Sequence, residues 1–224
     1  MQKKQSQEKS TGLFEVVLTN NEEISPGVHL ISFARNFDFK PGQAIKVAID
    51  REHPPRIYSI CSGNKESEVR ILFSIKEDGF LTPKLSGMIP GETILVSEPY
   101  GDFLGTNEPA WLIATGTGIA PFYSMIQSGQ AKNKKLIHGV GYLNQFYFED
   151  DLEWALDNNY IRCCSRESSC DVLQQRVTDY LENVETFPDV KYYICGNPKM
   201  VVEVRDLLIE RDVPFENIIA EIYF

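Results

Sequence analysis

The chain has 224 residues, 42% of them apolar and 24% charged, with a net charge of −10. That length leaves room for one large domain or two small ones, and the apolar share is enough to build cores, which excludes wholesale disorder. Residues 1–104 hold 12 Lys and Arg against 14 Asp and Glu, and residues 105–224 hold 10 against 18, so the halves carry −2 and −8; the second half would repel a polyanion, which argues against nucleic-acid binding.

Taken in order, the chain begins with MQKKQSQEKSTG, residues 1–12. This stretch is polar, has no apolar core of a secretory signal, and reads as a flexible tail. No apolar run approaches the eighteen or so residues needed to span a bilayer, so no membrane association is expected. Five cysteines, an odd number without a CxxC pair, suit reduced thiols in a cytoplasm. The run CCSRESSC at 163–170 lacks paired spacing and a nearby histidine, so no metal site is expected.

Residues 13–104 read as a first domain of short β segments: 14–19, 28–34, 44–50, 56–62, 68–75 and 92–99. They are rich in Val, Ile, Phe and Thr. Ser25-Pro26-Gly27, Lys40-Pro41-Gly42 and Ile89-Pro90-Gly91 mark turns between them. Six such strands predict a small antiparallel β-barrel, interrupted by one short helix at 82–88. Strand 56–62, RIYSICS, is unusual for carrying a charge and a phenol. Alternation puts Arg56 and Tyr58 on one face and Ile57 and Ser59 on the other. Alone, this is either a solvated barrel face or a surface on which a flat ring stacks while Arg56 grips an anion.

From residue 105 to 224 the rhythm alternates between strand and helix. Strands are predicted at 111–115, 135–142, 160–165, 191–196 and 217–224. Helices are predicted from Pro121 and over 146–158, 171–182 and 198–212. This predicts a five-stranded parallel sheet flanked by helices on both faces. Gly116-Thr117-Gly118 directly follows the first strand, where a backbone can approach a pyrophosphate, although the GxGxxP pattern alone fits a plain turn equally well. Ser165 and Arg166 end a strand, and with Arg176 could hold a phosphate monoester or be solvated loop groups. Cys195, before Gly196 and Pro198, is either presented at the sheet end or a small buried hydrophobe. The terminal Glu221-Ile222-Tyr223-Phe224 should dock, by sheet packing or over a ligand.

Together, RIYSICS, DGFLTPKL, GTGIAPF, SRE, CGNPKMV and the terminal EIYF resemble, in order and spacing, the ferredoxin–NADP⁺ reductase family, particularly its short bacterial members. The resemblance implies an FAD-binding barrel followed by an NADP-binding α/β domain. It implies exchange of electrons between NADP(H) and a one-electron carrier by hydride transfer to flavin N5. Arg56 would pair with the FAD pyrophosphate, Tyr58 would lie along the flavin, and Ser59 would bond near N5, with Ile57 beside them. A second flavin segment would be Leu72, Ser74 and Ile75, and a phosphate turn Phe80, Leu81 and Thr82. Thr117 would touch the flavin; Gly116 and Gly118, with Gly196 and Met200 nearby, would take NADP⁺. Ser165, Arg166 and Arg176 would hold its 2′-phosphate. Cys195 and Glu221 would flank the nicotinamide, and Tyr223, followed by Phe224, would cover the flavin. Gly141 departs from the family, some members having an arginine there, which weakens the preference for NADPH over NADH.

The implied partner is a separate ferredoxin or flavodoxin chain meeting a monomeric reductase. Lys40, Lys46, Arg51, Lys76 and Lys84 are candidates for a basic docking patch. Competing readings are a free-flavin or quinone reductase, the reductase partner of an oxygenase, and a non-enzymatic FAD-holding electron-transfer subunit.

Overall fold

A computed structural model describes residues 12–222. Its first half is a six-stranded antiparallel sheet in the order β4-β3-β6-β1-β2-β5. The strands are β1 (Leu13–Ser25), β2 (Val28–Ala34), β3 (Ala44–Ala48), β4 (Arg56–Ser59), β5 (Glu68–Ser74) and β6 (Thr93–Ser97). The two sheet edges meet, because Ile60 bridges Ile71 and Cys61 N–H donates to Arg70 O at 2.9 Å, so the sheet closes as the barrel pattern predicts. The interior holds Leu18, Ile31, Phe33, Ile45, Val47, Ile71 and Phe73, all at most 2% exposed. Each contributes about 1.5–3 kcal/mol by burial.

β1 runs to Ser25, well beyond the 14–19 expected from sequence. Asn20 to Glu23 look like turn residues, yet they pair with β2, Asn21 opposite Ile31. The ladder overrides local propensity. Asn21 is also used from its side chain: its amide donates to Leu85 O (3.0 Å) and Met88 O (2.6 Å), tying the sheet to helix α1 (Leu81–Ser86).

The second half is a five-stranded parallel sheet in the order β11-β10-β7-β8-β9. Its strands are β7 (Ala110–Thr115), β8 (Lys134–Val140), β9 (Tyr160–Cys164), β10 (Lys191–Cys195) and β11 (Ile218–Glu221). Helices α2 (Ala120–Met125) and α3 (Glu149–Leu156) pack on one face, where Leu112, Ala114 and Tyr193 join Phe122 and Leu152. Helices α4 (Val177–Glu182) and α5 (Pro198–Glu210) cover the other, where Ile113, Ile137 and Tyr192 meet Leu181 and Val204. Alternating strand residues thus feed two cores, the signature of a doubly covered sheet. Helix α4 begins six residues later than 171–182 suggests. Leu173 is drawn into the sheet instead: its N–H donates to Arg162 O and its carbonyl accepts from Cys164 N–H, both at 2.9 Å.

The halves share a core. Val28, Leu30, Cys61, Leu72 and Phe103 pack with Phe122, Tyr123 and Tyr193. Hydrogen bonds cross the junction, among them Ser124 Oγ–H to Ser62 O at 2.7 Å, Asn64 N–H to Ser128 Oγ at 3.0 Å and Tyr193 OH to Leu104 O at 3.0 Å. Among the described residues no helix is long and apolar enough to cross a membrane.

Candidate active site

A cleft of about 1360 Å³ runs between the two sheets. On the barrel side it is lined by Arg56 to Ser59, Leu72 to Ser74, Lys76 and Gly79 to Thr82. On the other side it meets Thr115 to Gly118, Gly139 to Gly141, Ser165, Gln175, Arg176, Cys195 to Met200 and Glu203. Most residues singled out from the sequence therefore converge on one space. Its size exceeds the 300–1,000 Å³ usual for one drug-sized ligand, as two dinucleotides would require.

Strand β4 presents both faces differently. Ser59 lies opposite Ala44, which in turn bridges Tyr100, so these three side chains share one face of the sheet. Ser59 is buried, whereas Arg56 is exposed at the cleft. Tyr58 leans on the barrel interior, its ring 6.2 Å from Phe73 in an edge-on contact. Burial pushes its phenol up to about 12, against a smaller opposing effect of Arg56, so it is protonated.

Phe80 reaches the cleft without an open ring face. His53 stacks on it at 3.4 Å and 16°, and Lys84 Nζ lies 3.7 Å from the same ring centre. Two groups that close to one centroid must occupy opposite faces, so only the Phe80 edge is offered to a ligand. Thr82 Oγ1 accepts from Lys76 N–H at 2.8 Å, fixing the turn between them. Ile75 does not line the cleft; its N–H donates to Gly27 O at 2.8 Å.

The glycine turn after β7 is built by close backbone approach. A Cβ on Gly118 would stand 2.4 Å from Cys195 O and 2.5 Å from Gly196 Cα, so this loop and the one after β10 touch directly. Gly116 has φ of +53° and open space before it. A half-buried turn whose first glycine has open space before it suits a pyrophosphate, so the residues present fit the nucleotide that the motif implies. Three groups that sequence reading passed over hold these loops. Thr115 Oγ1 accepts from Asn197 N–H at 2.9 Å, and the Asn197 side chain accepts from Lys199 N–H at 2.9 Å, capping α5. Beneath Gly116 lies His138, fully buried, with Nδ1 3.1 Å from Tyr160 OH and Nε2 3.4 Å from Gly116 O. HGVGY offered the only signal for it, a histidine inside an apolar strand.

Cys195 is 2% exposed and pairs in register with Glu221 across β10 and β11. Burial, and then the Glu221 carboxylate, push its thiol far above the usual range. It is a neutral group of fixed shape, unsuited to nucleophilic attack. Glu221 itself is absent from the cleft wall, although Ile222 reaches it. Ser165 and Arg176 line the cleft, whereas Arg166 does not: its guanidinium donates to Tyr142 OH at 2.7 Å. Met200 is buried under the cleft floor. Tyr223 and Phe224 lie outside the described residues, as does the tail up to residue 11.

Residues 15–104 match the model of the oxidoreductase FAD-binding domain family, and residues 112–206 that of the oxidoreductase NAD-binding domain family. The chain is 30% identical over 204 residues to a ferredoxin–NADP reductase of Pseudomonas aeruginosa, covering 76% of this chain and 78% of that protein. It belongs to the ferredoxin–NADP reductase family. A crystal structure of a ferredoxin NADP⁺ reductase from Neisseria gonorrhoeae with bound FAD and NADP shares the fold, with a TM-score of 0.85 and 22% identity over 95% of this chain and 99% of that one. Other relatives work elsewhere: the electron transfer component of toluate 1,2-dioxygenase from Pseudomonas putida is 27% identical over 207 residues, 85% of this chain and 62% of that protein. The family fold therefore accounts for a cleft with one wall from each sheet.

Proposed function

We propose that the protein is an FAD-dependent oxidoreductase that exchanges electrons between NADP(H) and a separate one-electron carrier, a ferredoxin or flavodoxin. The observation that carries this reading is the continuous cleft joining Arg56–Ser59 of the barrel to Gly116–Gly118 and Cys195–Met200 of the parallel sheet. Bound FAD would supply the conversion between two-electron exchange with the nicotinamide and one-electron exchange with the carrier.

The chain's own residues bind, orient and exclude water. Arg56 would counter the FAD pyrophosphate charge from the cleft mouth. Tyr58 would offer its remaining ring surface to the flavin, and Ser59 a hydroxyl close to its edge. Leu72, Ser74, Leu81 and Thr82 would complete the FAD wall. Gly116 and Gly118 would admit the NADP⁺ pyrophosphate, with Ser165 and Arg176 toward the 2′-phosphate. Cys195, neutral and buried, would fix the nicotinamide by shape, and Glu221 beside it would favour positive charge on that ring. The carrier would meet the barrel through Lys40, Lys46, Lys76 and Lys84, all exposed. The cysteine content fits a cytoplasmic location.

The test is a spectrum of the purified protein. Flavin bands that bleach with NADPH, followed by saturable reduction of ferredoxin or flavodoxin, are expected; a colourless protein that gains no flavin on reconstitution with FAD sinks the reading. A second reading, as reductase of an oxygenase, draws on the toluate dioxygenase relative. It would be marked by preference for an oxygenase-associated iron–sulfur carrier.

A further inference from the structure

Among the described residues, the cleft wall formed by the second sheet carries two cations, Arg176 and Lys199, and one carboxylate, Glu203. Arg166, the remaining cation of the Ser165 loop, is engaged elsewhere. Its Nη1 donates to Tyr142 OH at 2.7 Å, and its Cζ lies 5.1 Å from the centre of the Tyr142 ring. One phenol therefore takes the guanidinium both by hydrogen bond and by its π face.

Tyr142 is well fixed for that task. Gln145 Oε1 accepts from Gly141 N–H at 3.0 Å and from Tyr142 N–H at 3.1 Å, and Gln145 N–H returns a bond to Tyr142 O at 3.0 Å. The neighbouring Leu143 N–H donates to Glu167 Oε2 at 2.6 Å, and Arg166 N–H to Gly141 O at 3.2 Å. The turns after β8 and β9 are thus stitched into one unit. At Gly141 an added Cβ would stand 3.2 Å from Gln145 Oε1 and at an ordinary contact distance of 4.0 Å from Arg166 Cδ, so the close fit there is with Gln145.

Resting on the NADP(H) reading above, we propose that Tyr142 is a specificity-determining residue that holds Arg166 outside the cleft. A 2′-phosphate gains Arg166 only by taking it from Tyr142, so its apparent affinity is reduced by the fraction of molecules in which Arg166 is held. A nucleotide without that phosphate has no use for Arg166 and meets no such cost. The wild-type protein therefore discriminates weakly between the two nicotinamide nucleotides, and Tyr142 sets that weakness.

The experiment is calorimetric binding of 2′,5′-ADP and of 5′-AMP to the purified, flavin-loaded full chain. Tyr142→Phe deletes the hydrogen bond and keeps the ring; it should tighten 2′,5′-ADP about fivefold, the scale of one net hydrogen bond, and leave 5′-AMP unchanged. Arg166→Ala should cost little in the wild type and about tenfold in the Tyr142→Phe background, so the two changes are coupled. Unaltered or weaker 2′,5′-ADP binding in Tyr142→Phe overturns the proposal while leaving the cofactor reading intact. Failure of the wild type to bind either nucleotide overturns both.

Discussion

His138 Nε2 lies 3.4 Å from the carbonyl oxygen of Gly116, the first glycine of the turn at the cleft. The other ring nitrogen is 3.1 Å from Tyr160 OH, and burial keeps that phenol protonated and able to donate. The imidazole is therefore neutral, accepting from Tyr160 at Nδ1 and donating to Gly116 at Nε2. Burial lowers its pKa from 6.5 to about 4.

This has a pH consequence. The folded state binds the His138 proton more weakly than the unfolded chain does. The stability it protects is whole above about pH 6.5 and is lost as the pH falls toward 4, by roughly 3 kcal/mol at most. Urea midpoints at pH 7.5 and pH 5 test it. His138→Gln keeps a donor and an acceptor; it should be less stable by about 1 kcal/mol at pH 7.5 but lose less on acidification. Parallel pH dependence in the two proteins would remove the role of this histidine.

Arg56 is exposed at the cleft mouth, and among the described residues the one carboxylate lining the cleft is Glu203, on the wall of the second sheet. Its pairing with a pyrophosphate would be a charge-assisted contact worth roughly 1.5–3 kcal/mol. Arg56→Ala should weaken FAD binding by about tenfold or more, giving partly flavin-depleted protein. The check is the ratio of flavin to protein absorbance after dialysis. Full occupancy would return Arg56 to the status of a solvated barrel residue.

The legible parts of this protein were those with strong local chemistry. RIYSICS, GTGIAPF and CGNPKM sit at strand ends that meet in one cleft, and the strand–helix alternation after residue 105 is real. What escaped reading depends on distant partners. Asn20 to Glu23 look like a turn until β2 pairs with them. Leu173 belongs to a helical pattern until β9 takes its backbone. The Phe80 ring, well placed by motif, is covered by His53 from 27 residues away and by Lys84. Arg166, expected from its motif beside a phosphate, is instead bonded to Tyr142 outside the cleft wall. Side-chain competition of this kind leaves no periodic trace in sequence.

Cys195 should act by fit, without covalent chemistry. Its thiol is neutral and 2% exposed, so alkylation of the intact protein near pH 7.5 should reach the exposed Cys170 first. Cys195→Ser should retain FAD but slow flavin reduction by NADPH about tenfold or more, since a shifted nicotinamide is costly. Glu221→Gln should slow the same step, because it removes the negative charge beside that ring. Rapid-mixing measurement of a single reduction decides it; wild-type rates in both variants would leave the pair without a catalytic role.

Gly116 and Gly118 are two residues apart and should fail differently when given a methyl group. At Gly118 the added Cβ meets fixed backbone, Cys195 O at 2.4 Å and Gly196 Cα at 2.5 Å. Neither atom can rotate away, so Gly118→Ala must separate the turns after β7 and β10, an overpacking cost of roughly 1–3 kcal/mol. The Thr115–Asn197 bond between the same turns should loosen with it. At Gly116 the methyl would enter open space, but the backbone is left-handed, costing about 1–2 kcal/mol without any clash. The methyl would also stand where a pyrophosphate is proposed to lie. Gly118→Ala should therefore lower the denaturant midpoint more than Gly116→Ala does, and should perturb the Cys195 site. Gly116→Ala should show the larger loss of nucleotide affinity relative to its loss of stability. Measuring midpoints and 2′,5′-ADP binding for both variants separates the effects. Equal ratios of affinity loss to stability loss would mean that the open face of Gly116 does not receive the nucleotide.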